Sequence, residues 1–141
     1  MTAWGLAATL LLPTAAGAAA PAEPIEVTVT GVRSAAGVVH VDVCPEANFL
    51  DKCPYSIRAP ARVGSVTVLI HVPPGRYAVQ AFHDANGNDK VDLGIFSIPR
   101  EGIGFSNDAM AHLARPKFRV AAFDHGPVPQ RVTVKLRYFL G

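Results

Sequence analysis

The sequence predicts an all-β domain built as two antiparallel sheets packed face to face. Three observations predict it. About six short segments alternate apolar and polar residues with the period of two expected of a strand that has one face on a core. Turn-forming residues punctuate these segments, with 12 glycines and 12 prolines in 141 residues. No stretch carries the spacing of a long amphipathic helix, which argues against strands and helices alternating around a parallel sheet.

The chain opens with an apolar run from Trp4 to Leu12 and a small-residue region that offers Ala-x-Ala cleavage after Ala18, Ala19 or Ala20. This reads as a secretory signal over residues 1–20, too short and interrupted to anchor in a bilayer, and no later stretch is apolar enough to be transmembrane. A single β-sandwich domain is expected over residues 21–141, in a periplasmic or extracellular location. From Ile25, IEVTVTGV points Ile25, Val27 and Val29 one way and Glu26, Thr28 and Thr30 the other. Ser34 to Gly37 supplies a turn, and GVVHVDV from Gly37 to Val43 reads as a second strand, with Val39, Val41 and Val43 inward and His40 and Asp42 wetted. These two strands are expected to pair as a hairpin.

Cys44 to Arg62 is less regular; Pro45, Pro54 and Pro60 break it, and at most a helical turn fits around Glu46 to Leu50. An oxidising address favours a disulfide between Cys44 and Cys53, whose spacing suits neither a redox C-x-x-C nor a zinc site. Val63 to Val72 forms the third strand, Pro73-Pro74-Gly75 a tight turn, and Arg76 to Phe82 the fourth strand, with Tyr77, Val79 and Ala81 inward. A long loop, 84–116, follows, in which Asn107 to Leu113 has the cap and apolar stripe of a short helix. Lys117 to Phe123 is a weaker fifth strand, and Gln130 to Phe139 the cleanest one, with Val132, Val134, Leu136 and Tyr138 on one face.

A formal net charge of +2 does not imply a nucleic-acid partner. Arg115, Lys117 and Arg119 sit together, whereas Arg131, Lys135 and Arg137 share an alternating strand, the pattern of one wetted sheet face and not of a phosphate-tracking groove.

The chemistry concentrates in the loop. In DANGNDKVD, Asp84, Asn86, Asn88 and Asp92 stand at positions 1, 3, 5 and 9, and Lys90 at position 7 can offer its carbonyl. Hard oxygen donors at alternate positions suit Ca²⁺, and a firm strand leading into Asp84 holds the first of them. The match to an acidic calcium loop is partial. Gly87 stands at position 4 and Ile95 where a bidentate glutamate would close the shell. Asp89, Asp108 or Glu101 are candidates to complete it, with an affinity of about 10⁻⁴–10⁻³ M. Asn-Gly and Asp clusters also make metal-free turns that cap their own backbone, and that reading stands beside the metal one.

The second half of the loop carries Ile95, Phe96, Ile98, Ile103 and Phe105 between glycines. Phe96 and Phe105 are the candidate binding platform for a protein or glycan; the alternative is a cover over an open edge. For catalysis, His83 beside Asp84 is the one acid/base candidate, with Ser97 or Ser106 as nucleophile, but no G-x-S-x-G elbow surrounds either serine. His40, His71, His112 and His125 lack metalloenzyme spacing. No catalytic residue is therefore assigned, and a hydrolase is the least favoured reading.

The combination PPGRYAVQAFHD, the polar loop DANGNDKVD and IPREGIGFSN resembles the family known as domain of unknown function 2141, across Ile25 to Tyr138. The resemblance implies an exported bacterial protein with no assigned activity. The strand entry and polar loop are also similar to prealbumin-like and surface-adhesin repeat domains, some of which hold calcium in an equivalent loop. The expected fold is thus an immunoglobulin-like or prealbumin-like antiparallel β-sandwich. The expected function is that of a structural or binding module with a calcium-organised loop, or else of a carbohydrate- or peptide-binding accessory domain.

Overall fold

The structure is a computed structural model that describes residues 2, 3, 5, 7–9 and 21–140. The signal reading for residues 1–20, including its cleavage options at Ala18, Ala19 and Ala20, falls for the most part outside the described residues. Among the described residues, no helix is long and apolar enough to cross a membrane.

Two sheets enclose one core. The first joins β1 (Glu23–Val32), β4 (Gly64–Val72) and β8 (Gln130–Lys135) in the order β4-β1-β8. The second joins β2 (Val38–Cys44), β3 (Tyr55–Pro60), β5 (Gly75–Asp84) and β6 (Ile103–Phe105) in the order β3-β2-β5-β6, with β7 (Phe123–His125) also on β5. The period-two pattern sets each register. Val27 lies opposite Val68 on one side and Val132 on the other, while Val41 lies opposite Ile57 and Ala81. Every one of these side chains points between the sheets. Ile25, Val27, Val29, Val39, Val41, Val43, Val79 and Val134 are fully buried there, each worth about 1.5–3 kcal/mol of burial.

Several expectations need correction. β1 and β2 do not form a hairpin: β1 pairs β4 and β8, while β2 pairs β3 and β5 in the opposite sheet. The turn after β1 carries the chain across the core, and a buried valine stripe has the same periodicity whichever sheet holds it. The first sheet is mixed and not antiparallel, because β8 runs parallel to β1. β3 was concealed by its flanking prolines. It is an edge strand in which Tyr55, Ile57 and Ala59 are half-buried, and Pro60 ends it where a missing N–H does least harm.

The expected strand at Lys117 to Phe123 is instead a single helical turn, α1 (Phe118–Ala121), running into β7. The expected helix from Asn107 is only a 3-10 turn, Ser106–Asp108, with Asn107 and Asp108 at φ 57° and 49°. Both departures have one cause. The Asn107 amide donates to the carbonyls of Val120 and Ala122, and the buried Ser106 hydroxyl donates to Ala121 O at 2.6 Å and accepts from Val79 N–H at 2.9 Å. Side chains that would cap a helix here pin α1 onto β5 instead. Ala78, Phe105, Met110 and Ala121 form a second small core on the outer face of that strand, packed by Phe49 and Phe118.

The last strand also ends earlier than its alternation suggests. Leu136 still donates to Thr30 O, but Arg137 exchanges both backbone hydrogen bonds with Ile103 of β6, at 2.8 and 3.0 Å. The C-terminal segment thereby passes from the first sheet to the second and closes one seam of the sandwich.

Candidate functional site

The site lies where β5 ends. Val38 pairs with Asp84, and Gly37 beside it has φ +69°; a Cβ there would stand 2.0 Å from Asp84 O. Only glycine allows β2 to start so close to the base of the loop. Asp84 is completely buried. Its carboxylate accepts the backbone N–H of Asn88 at 3.1 Å and of Asp89 at 2.8 Å, and meets His40 Nε2 at 3.0 Å. Burial alone would raise the Asp84 carboxyl. The Asp89 N–H, the His40 ring and the Asn88 N–H outweigh it and hold the group below its ordinary value.

His40 reaches Asp84 because cross-strand register sets it opposite Phe82, on whose ring it stacks at 4.4 Å between centroids. Asp89, at φ +64°, turns its carboxylate back to within 3.6 Å of His40 Nε2 and pairs with Arg58 of β3. One ligand atom from each of His40, Asp84 and Asp89 therefore lies within 4.8 Å of the other two. This His/Asp/Asp cluster could coordinate a divalent metal such as Ca²⁺.

The expected ligand run divides in two around this point. Asp84 turns inward to the cluster. Asn86 and Asn88 each donate a side-chain N–H to Asp92, both at 2.7 Å, while their Oδ1 atoms accept the backbone N–H of Asn88 and Lys90. Lys90 thus enters the turn through its N–H. With the amides so oriented, a cation at Asp92 would need both of them turned over. Glu101 stands behind Asp92 and accepts its N–H at 3.3 Å. Burial pushes the Glu101 carboxyl up to about 7; that N–H pulls it back down in part, and the neighbouring carboxylates of Asp92 and Asp84 add to the rise. The self-capped turn weighed in the sequence is the arrangement found, and the cluster is built on top of it. His40 was legible only as a wetted strand residue, since no local pattern announces a partner 44 positions away.

The cluster opens onto a groove of about 870 Å³ across the outer face of the second sheet, lined by Asp42, Arg58, Gln80 and Phe82. The Leu50–Cys53 loop forms its far wall. A Cys44–Cys53 disulfide with Cα atoms 5.1 Å apart staples that loop, as expected, and Gln80 fastens it by accepting Leu50 N–H and donating to Asp51 O.

The other candidates separate. His83 and Asp84 point to opposite faces of β5, and the His83 ring meets Ala36 O at 2.7 Å, so these neighbours do not form an acid/base pair. Ser106 is committed to α1 as described. Phe105 is buried in the second core, edge-on to Phe49, whereas Phe96 is exposed. Of the two rings of the expected platform, one is exposed and the other buried, and both border one groove.

Much of IPREGIGFSN and PPGRY has a packing role. Tyr77 donates to Pro73 O at 2.8 Å, a Cβ on Gly102 would meet the Tyr138 ring at 2.5 Å, and one on Gly104 would meet Lys135 O at 2.4 Å. The family whose model matches residues 27–133 is described as an uncharacterized protein conserved in bacteria (DUF2141). No curated protein and no solved structure matches the chain.

Proposed function

The chain belongs to this family of uncharacterized bacterial proteins, and from that premise we propose that it is an exported, non-catalytic β-sandwich module whose Asp84–Asp92 loop is organised by a divalent cation. The observation that carries this reading is the convergence of His40, Asp84 and Asp89 within 4.8 Å, on the rigid end of a central strand. A cation there would clamp β2, β5 and the loop together. The hydrogen bonds to Asp84 already shape the loop, so the ion adds to a formed structure. An imidazole in the set favours an ion that accepts nitrogen, such as Zn²⁺ or Mn²⁺, while the calcium reading draws on the oxygens of Asn86, Asn88 and Asp92. The immunoglobulin-like or prealbumin-like class is supported by the two facing sheets and by the hydroxyl of Tyr77 bonded back to Pro73. Export is supported by the apolar N-terminal run, the Ala-x-Ala options and the disulfide.

The test is calorimetric titration of chelator-treated protein with Zn²⁺, Mn²⁺ and Ca²⁺, with His40→Gln and Asp89→Asn alongside. Binding by the wild type, weakened in both variants while their metal-free melts stay near wild type, is expected. No heat with any of the three ions ends the proposal. A second reading, an accessory domain for a glycan or peptide, is favoured by the groove of about 870 Å³ beside the cluster. Chemical-shift changes confined to Asp42, Arg58 and Gln80 on adding oligosaccharides would support it.

A further inference from the structure

Farther along the long loop, a group of apolar residues stands in water. Phe96 is 92% exposed, Ile95 69%, Leu93 56% and Leu113 49%. Phe96 and Ser97 both hold left-handed backbone, at φ 57° and 58°, a conformation that residues with side chains adopt at a cost. Neither local preference nor the hydrophobic effect favours a strained turn that presents an aromatic ring to solvent. Phe96 borders a groove of about 340 Å³, with Leu113, Arg115 and Pro116 along it and Phe105 and Met110 contributing from the second core.

Charge gives this surface its character. The stretches 93–100 and 109–119 contain Arg100, Arg115, Lys117 and Arg119, all exposed, and no Asp or Glu. The acids that flank these stretches are engaged elsewhere, Asp92 by the Asn86 and Asn88 amides, Glu101 by the N–H of Asp92 and Asp108 by Arg137. The stem of Arg100 packs beside Gly94, where a Cβ would meet its Cγ at 3.2 Å, which keeps that cation next to the apolar turn.

We propose that this carboxylate-free apolar rim docks on a lipid bilayer with anionic headgroups, Ile95 and Phe96 entering the interfacial layer while Arg100 and Arg115 meet lipid phosphates. A bilayer surface accepts protruding apolar side chains and neighbouring cations together, and it needs no shaped counterpart to do so. The role is independent of the cation cluster, so its test is run in chelator.

Purified full-length protein is sedimented with vesicles of phosphatidylcholine alone and with equimolar phosphatidylglycerol. Partition into the anionic vesicles, weakening in about 0.5 M NaCl as charges are screened, is expected. Phe96→Asp should lower the partition coefficient tenfold or more, by about the transfer preference of a buried aromatic ring, and Arg100→Gln and Arg115→Gln roughly fivefold each. All three side chains are exposed, so unchanged melts verify the fold. The N-terminal apolar run is common to every variant and cancels from the comparison. Equal partition of wild type and Phe96→Asp, equal binding to both vesicle types, or no binding overturns the proposal; a soluble-protein partner then becomes the alternative occupant.

Discussion

Arg137 grips Asp108 with two nitrogens, its Nε donating to Oδ1 at 3.1 Å while an NH₂ group meets Oδ2. The pair ties the C-terminal segment to the 3-10 turn that pins α1. The hydrogen bond from Arg137 holds the Asp108 carboxyl below its ordinary value, against a smaller opposing effect of burial. A depressed carboxyl contributes stability above its unfolded value near 3.8 and loses it as pH falls through the lower folded value. Asp108→Asn should therefore melt below wild type at pH 6, and the gap should close as pH falls below about 4. Both side chains are partly exposed, so salt should narrow the gap as well.

Glu101 gives the opposite slope. Its folded carboxyl, raised from 4.5 to about 7, favours the native state fully below the unfolded value, and this contribution is lost as pH rises through about 7. With chelator present, Glu101→Gln should be more stable than wild type at pH 8 by about 1–2 kcal/mol after solvent screening, and equal to it at pH 4. Denaturant melts at the two pH values read the difference. An identical slope in both proteins would remove burial as the cause.

Gly104 of β6 and Gly102 just before it differ in what a methyl group would strike. At Gly104 it meets Lys135 O at 2.4 Å and Val134 Cγ1 at 2.8 Å, whereas at Gly102 it meets only the ring of Tyr138. Backbone yields less than a terminal ring. Gly104→Ala should cost about 1–3 kcal/mol, and Gly102→Ala less, as measured by urea unfolding.

Opening the disulfide should loosen a defined piece. Replacing both Cys44 and Cys53 with alanine should cost about 2–4 kcal/mol. Hydrogen exchange should then quicken at Leu50 N–H, which Gln80 now holds, before it quickens in β5.

Legibility in the sequence followed the range of the forces involved. Strand positions and inward faces came through because Ile25, Val27 and Val29 repeat a pattern that needs only burial on one side. Pairing did not, because the same pattern serves a hairpin or an arch, and β1 made the arch. The loop's Asp84 was legible as its anchor, since an Asx-rich turn after a strand caps backbone locally. Asp89 stood only as one of three candidates to complete the shell and His40 not at all, because their meeting depends on cross-strand register and on a left-handed turn. Asn107 misled most: as a helix-capping type it suggested a local helix, and it binds carbonyls more than a dozen residues away, as does Ser106, which was legible only as a candidate nucleophile.

The first and last strands of the described domain lie side by side, and beyond Lys135 the chain end crosses to seal the opposite sheet. A nascent polypeptide therefore cannot cover the central strand of the smaller sheet on both sides until it has been made through Lys135. Acquisition of structure is pushed late, with a valine-rich edge left open for any competing segment in the interval. Removing the chain from Gln130 onward would prolong that exposure indefinitely, and insolubility would be its visible result.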